Sequence, residues 1–89
     1  MSDVDKTLEE RGSRYGKFKN HAEIAQALKA VMFDYNPNLE LRASQREALE
    51  MIAHKIGRII NGDPNYADSW IDIAGYAKLV ADELEGIER

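Results

Sequence analysis

Apolar residues recur along this chain at intervals of three and four, and nowhere do they alternate with polar ones for long enough to make a strand, so the pattern predicts helices throughout. The clearest stripe is Leu49, Ile52, Ile56 and Ile59. It predicts a helix that begins near Ser44, where Ser44-Gln45-Arg46-Glu47 has the form of a capping box, and that ends at Gly62, with Pro64 barring continuation. A further helix is expected from about Tyr66 to Glu85, capped by Asp63 or Asn65, with Trp70, Ile73, Ala77, Val80 and Leu84 as its buried face. Upstream, Ile24, Leu28 and Val31, with Ala27 beside them, predict a helix opened by Asn20 and closed near Asp34 by the break Asn36-Pro37-Asn38. A short first helix over Val4 to Arg11, capped by Asp3 and stopped by Gly12, leads into a connector through Gly12, Ser13 and Gly16 whose aromatics dock on the helices. The expected architecture is all-α: one domain over residues 1–89, a compact bundle of three main helices plus a short N-terminal one.

Composition narrows the class. With 89 residues, no cysteine and 44% hydrophobic content, the chain builds a modest core without the disulfides common in small secreted domains, which points to the cytoplasm. No apolar run approaches the ~18 residues of a membrane span, and the polar, acidic start lacks the layout of a signal peptide. A net charge of -4 weighs against a protein that wraps a nucleic-acid backbone. The local basic run Arg11, Arg14, Lys17, Lys19 reads as a small phosphate contact or a solvated face. Three long amphipathic helices in so short a chain leave apolar surface unburied, so a homo-oligomer is expected, a twofold dimer being the simplest.

Candidate chemistry lies on the last two helices. Glu47 and Glu50 are spaced three apart and Asp68 and Asp72 four apart, so each pair is expected on one side of its helix, and folding one helix on the other would gather the acids in a groove. Such a set suits magnesium, which takes carboxylate oxygens and bridges them to phosphates. The plainer reading is a solvated face, or ion pairs with Arg46, Lys55 or Arg58, and for Asp72, at the margin of the apolar stripe, a pair with Lys55 or Arg58. Asp68 in a first helical turn also complements the helix dipole. His54 can contact a ligand or serve as a core-edge hydrogen-bonding residue, and His21 has no evident constellation. Lys55 and Arg58 are the phosphate candidates, with Arg14 if the glycine-flanked loop folds over the groove.

Asp72-Ile-Ala-Gly-Tyr76-Ala-Lys-Leu, preceded by a helix bearing Glu47-Ala-Leu-Glu50, resembles the C-terminal half of the MazG-like all-α nucleoside triphosphate pyrophosphatase superfamily, whose pattern is a Glu-x-x-Glu helix followed by a Glu-x-x-Asp helix. Nearly the whole chain, from Glu9-Glu-Arg-Gly-Ser-Arg-Tyr-Gly through Asp63-Pro-Asn-Tyr-Ala-Asp-Ser-Trp-Ile-Asp-Ile-Ala-Gly-Tyr, is similar to a small phage and prophage family of uncharacterised function associated with that superfamily. The resemblance implies Glu47, Glu50 and Asp72 as magnesium ligands, with Asp68 a substitute, because Ser69 stands where the pattern has glutamate. It implies Lys55 and Arg58 on phosphate, with Arg14, Tyr15, His54 and Tyr76 around the substrate, in a host cytoplasm if phage-encoded.

Three functions follow. The first is a magnesium-dependent pyrophosphohydrolase acting on a nucleoside triphosphate or a relative. The second is a non-catalytic protein that sequesters a nucleotide in the same groove, which Ser69 in place of glutamate favours. The third is a helical protein-interaction module that uses the apolar surface.

Overall fold

The computed structural model of the chain describes residues 2–89 and contains four helices, α1 (Asp3–Tyr15), α2 (Phe18–Asp34), α3 (Ala43–Asn61) and α4 (Ala67–Leu84), with no strand among those residues. The all-α bundle that the periodicity predicts is present. None of these helices is long and apolar enough to cross a membrane.

The first helix is longer than its punctuation suggested. Gly12 does not end it, because nothing surrounds the position its Cβ would take and a lone glycine costs a helix only about 1 kcal/mol relative to alanine. The stop is Gly16, whose φ of 76° lies in the left-handed region that other residues adopt only with strain. Ser2 rather than Asp3 is the cap, its hydroxyl accepting from the Asp5 amide at 3.2 Å, which leaves Asp3 and Asp5 in the first turn where the helix dipole favours acids. The expected connector therefore shrinks to the elbow Gly16-Lys17, and α2 opens at Phe18 rather than at Asn20.

α3 begins at Ala43, one residue before the anticipated capping box. The Arg42 amide donates to Gln45 Oε1 at 2.9 Å, and the Ser44 hydroxyl donates to Glu83 on α4 instead of capping. α4 starts at Ala67 with Tyr66 as its cap residue, and the Asp63 carboxylate accepts the Asn65 amide in the preceding turn.

α3 is the central helix. α2 packs against one side and α4 against another without touching each other, and α1 makes lighter contact with both α2 and α3. The sequence order of the contacts fixes α3 and α4 as antiparallel: Ser44 meets Glu83 at one end and Lys55 meets Asp72 near the other. Small residues let the helices approach closely, since Ala25, Ala48, Ala53 and Gly57 are buried with His21 and Ile59. A Cβ on Gly57 would lie 2.7 Å from His21 Cδ2, so α2 and α3 cross where a side chain would not fit.

The expected core faces need correction in detail. On α2, Val31 and Ala27 are exposed and the packed face is His21, Ile24, Ala25 and Leu28. On α3, Leu49 lies at the exposed margin. On α4 the expected stripe straddles two: Ser69, Ile73, Tyr76, Val80 and Glu83 are at least partly buried toward α3, whereas Trp70, Ala77 and Leu84 belong to a second stripe one residue, about 100°, further round. The reason is that only one neighbour covers α4. Beyond its end, the tail folds back so that the Ile87 amide donates to the Asp82 carbonyl at 2.7 Å, while Lys78 and Arg89 each bind the buried Asp82 carboxylate at 2.7 Å. The Lys78 hydrogen bond, then that of Arg89, holds this carboxyl below its usual range against the opposing effect of burial.

Candidate ligand-binding site

The elbow between α1 and α2 is pinned to the C-terminal end of α3. Asn61 Nδ2 donates to the carbonyls of Tyr15 at 2.8 Å and Lys17 at 3.0 Å, and the Asp63 amide donates to the Arg14 carbonyl at 2.7 Å. These bonds satisfy carbonyls that the end of α1 and the turn would otherwise leave open. They also hold a wall of side chains in place beside a cavity of about 630 Å³, within the size range of small-molecule sites.

Arg11, Lys17 and Arg58 line this cavity together with Tyr15, Phe18 and His54, and no acidic side chain does. None of the three cations has a carboxylate partner among the described residues. In a chain of net charge -4 that is a local inversion of sign. The Arg58 guanidinium lies 4.3 Å from the Tyr15 ring centroid, a cation–π contact that orients both groups. Phe18 is 76% exposed on the rim, an apolar ring that no protein neighbour covers.

Two histidines form the floor. His21 Nε2 is 2.9 Å from the His54 carbonyl, and the two rings meet edge to face with centroids 4.5 Å apart. Partial burial, followed by the positive charge of Arg58, lowers the His54 pKa to about 4, so its ring is neutral at physiological pH and offers hydrogen bonds without adding charge.

The sequence-derived candidates divide around this geometry. Tyr15, His54 and Arg58 come together in the cavity. Arg14 turns away from it, pairing with Glu10 at 3.2 Å, bonding the Tyr66 hydroxyl, and stacking 4.4 Å from that ring's centroid. The Tyr66 hydroxyl in turn donates to Asp68 at 2.9 Å, the main cause of its raised pKa. Lys55, with 12% of its side chain exposed, is tied to Asp72 at 2.9 Å, so the ion pair weighed for Asp72 is formed with Lys55 rather than Arg58. Tyr76 lies in a different groove, between α3 and α4, with Glu47 and Glu83.

The acidic set is dispersed. Glu47 lines the groove toward α4, Glu50 bonds Arg46 at 3.0 Å beside Phe33 of α2, Asp72 is held by Lys55, and Asp68 by Tyr66. Among the described residues no three His, Asp or Glu side chains lie close enough to hold a metal ion. As placed, Glu47, Glu50, Asp68 and Asp72 do not fit a magnesium centre of the kind the resemblance implies.

Sequence reasoning missed Phe18 and His21 as wall residues and read Arg11 and Lys17 only as part of a basic run, a small phosphate contact or a solvated face, without joining them to Arg58. The basic run was the available signal. What it lacked was the helical continuation of α1 to Tyr15, which sets Arg11 and Tyr15 one turn apart on the face toward Arg58.

The chain belongs to the DUF6378 family, a domain of unknown function whose pattern matches residues 1–84. No curated protein and no solved structure matches it.

Proposed function

We propose that this protein binds a nucleotide without turning it over, holding phosphate on Arg11, Lys17 and Arg58 and the base against the aromatic wall of Tyr15 and Phe18, and so sequesters its ligand. The observation that carries the reading is the set of three cations without carboxylate partners around one acid-free cavity. Cations held near one another without acids repel, and a phosphate between them relieves that repulsion through charge-assisted hydrogen bonds. An aromatic floor and rim add a site for a planar ring, which distinguishes a nucleotide from a bare anion. The resemblance to phage and prophage proteins suits a sequestering role, in which a host nucleotide or nucleotide signal is held out of circulation.

Hydrolysis needs its carboxylates drawn together around the phosphate, and here Glu50, Asp72 and Asp68 are engaged by Arg46, Lys55 and Tyr66 while Glu47 faces a separate groove. Binding is therefore the reading the geometry supports best. Titration calorimetry with nucleoside triphosphates and with cyclic and modified nucleotides, run with magnesium and with a chelator and paired with a phosphate-release assay, tests it. The expected result is saturable binding that survives the chelator with no phosphate or pyrophosphate released. Magnesium-dependent release would replace the proposal with the hydrolase, and no binding to any nucleotide would remove both.

A further inference from the structure

α4 carries an apolar stripe, turned away from α3, that no second helix covers; its one tie is the Trp70 indole N–H, which donates to the Pro64 carbonyl at 2.9 Å. Trp70, Ala74, Ala77, Ala81 and Leu84 follow one another at spacings of four, three, four and three, all are exposed, and none is charged. Trp70 and Leu84 are each 54% exposed, and Ile71 beside them 63%. This is the a/d spacing of a helix that packs along a second helix, and the three alanines in its middle allow a short interaxial distance.

The whole molecule shows the same deficit. Its accessible surface is 6600 Å², roughly 1,300 Å² more than the ~5,300 Å² that size scaling gives for a folded monomer of 10.1 kDa. Its radius of gyration is 15.1 Å against about 12 Å for a compact domain of this length. A stable twofold interface removes about 800 Å² from each partner. The surplus is thus more than large enough to supply the surface a dimer buries.

We propose that the occupant is a second copy of this chain, with the two α4 helices antiparallel about a twofold axis near Ala77. The stripe is self-complementary in that arrangement: Trp70 of each copy meets Leu84 of the other, and Ala74 meets Ala81, large against medium at the ends and small against small in the centre. A twofold contact of this kind is closed, because each stripe is used up by its partner. The two α3 helices flank the pair, so the interface turns two open three-helix layers into one bundle with four helices at its centre. No residue of α4 lines the cavity at the α1–α2 elbow, so the assembly stands or falls independently of the ligand.

The chain has no cysteine, which makes crosslinking a direct test. Light scattering on the full chain at about 100 μM should give twice the monomer mass. Ala77→Cys, on the twofold axis, should form a covalent dimer on mild oxidation, whereas Ala30→Cys, an exposed alanine on α2, should not. Ala77→Glu, which sets two like charges against each other at the axis, should give a monomer with unchanged helical circular dichroism. A monomeric wild type, or Ala30→Cys crosslinking as readily as Ala77→Cys, overturns the proposal. If Ala77→Glu loses its helicity, the crosslinking pair alone decides the matter.

Discussion

His21 on α2 hydrogen-bonds the backbone carbonyl of His54 on α3 at 2.9 Å, and its ring meets the His54 ring edge to face, so two imidazoles and one main-chain group lock the helices together under the basic cavity. The pairing joins stability to the site, because His21 is 4% exposed while His54 lines the cavity wall.

Acid should loosen this junction. The His54 pKa falls from the ordinary 6.5 to about 4 on folding, chiefly through burial and then through Arg58. Between those values the unfolded chain takes up a proton that the folded chain refuses, so stability rises with pH across this window and is lost on acidification toward pH 4, below which this contribution levels off. Discounted for the ring's partial exposure, the loss is about 1 kcal/mol. Urea midpoints at pH 7 and pH 4.5 measure it, and His54→Gln should flatten the difference. Asp82, whose carboxyl is held below its usual range by Lys78 and Arg89, loses its contribution only at still lower pH.

Gly57→Ala should destabilise the protein by about 1–3 kcal/mol, because the new methyl would stand 2.7 Å from His21 Cδ2 in a buried crossing with no room to yield. Thermal unfolding reads this directly. Gly75→Ala, where no atom approaches the position, is the matched control and should be neutral or slightly stabilising.

Two arginines should behave differently in ligand binding. Arg58→Ala removes a cation from the cavity and should weaken nucleotide binding about tenfold, or ~1.4 kcal/mol, and lessen its salt dependence. Arg14→Ala removes a cation engaged with Glu10 and Tyr66 and should change affinity less than about twofold. Equal losses in calorimetric titrations would mean that the wall has been assigned to the wrong side of α1.

Asp72→Asn separates the structural from the catalytic reading of that carboxylate. It leaves Lys55 largely buried without its counter-charge, and with the Asp72 side chain 45% exposed the cost should be about 1–2 kcal/mol in denaturant unfolding. Nucleotide affinity measured in parallel should stay at the wild-type value, since neither residue borders the cavity.

Asn61→Ala should cost about 1–2 kcal/mol and weaken binding as well, because one amide satisfies the carbonyls of both Tyr15 and Lys17 and sets the elbow that carries the wall. Faster amide exchange at the start of α2, with α4 unchanged, would mark the loss as local.

The resemblance drew attention to the Glu47, Glu50 and Asp72 helices, and α3 and α4 are indeed neighbours and antiparallel. Helix proximity was legible because short loops and apolar periodicity favour it. The direction of each carboxylate was not, since a rotation of one residue about the axis carries an acid from one groove to the next and local partners such as Arg46 and Tyr66 then capture it.

The sequence by itself determined the number of helices and, for α2, α3 and α4, the near positions of their ends, because periodicity, glycine and proline act within a few residues. It also supplied the Lys55–Asp72 pair as an alternative, at a spacing that only an antiparallel fold can close. The tertiary structure alone decided which stripe of α4 was buried and that Arg11, Lys17, Tyr15 and Arg58 share one cavity. Those outcomes depend on the rotation and approach of helices about α3, which small residues at Ala53 and Gly57 permit and which no interval along the chain encodes.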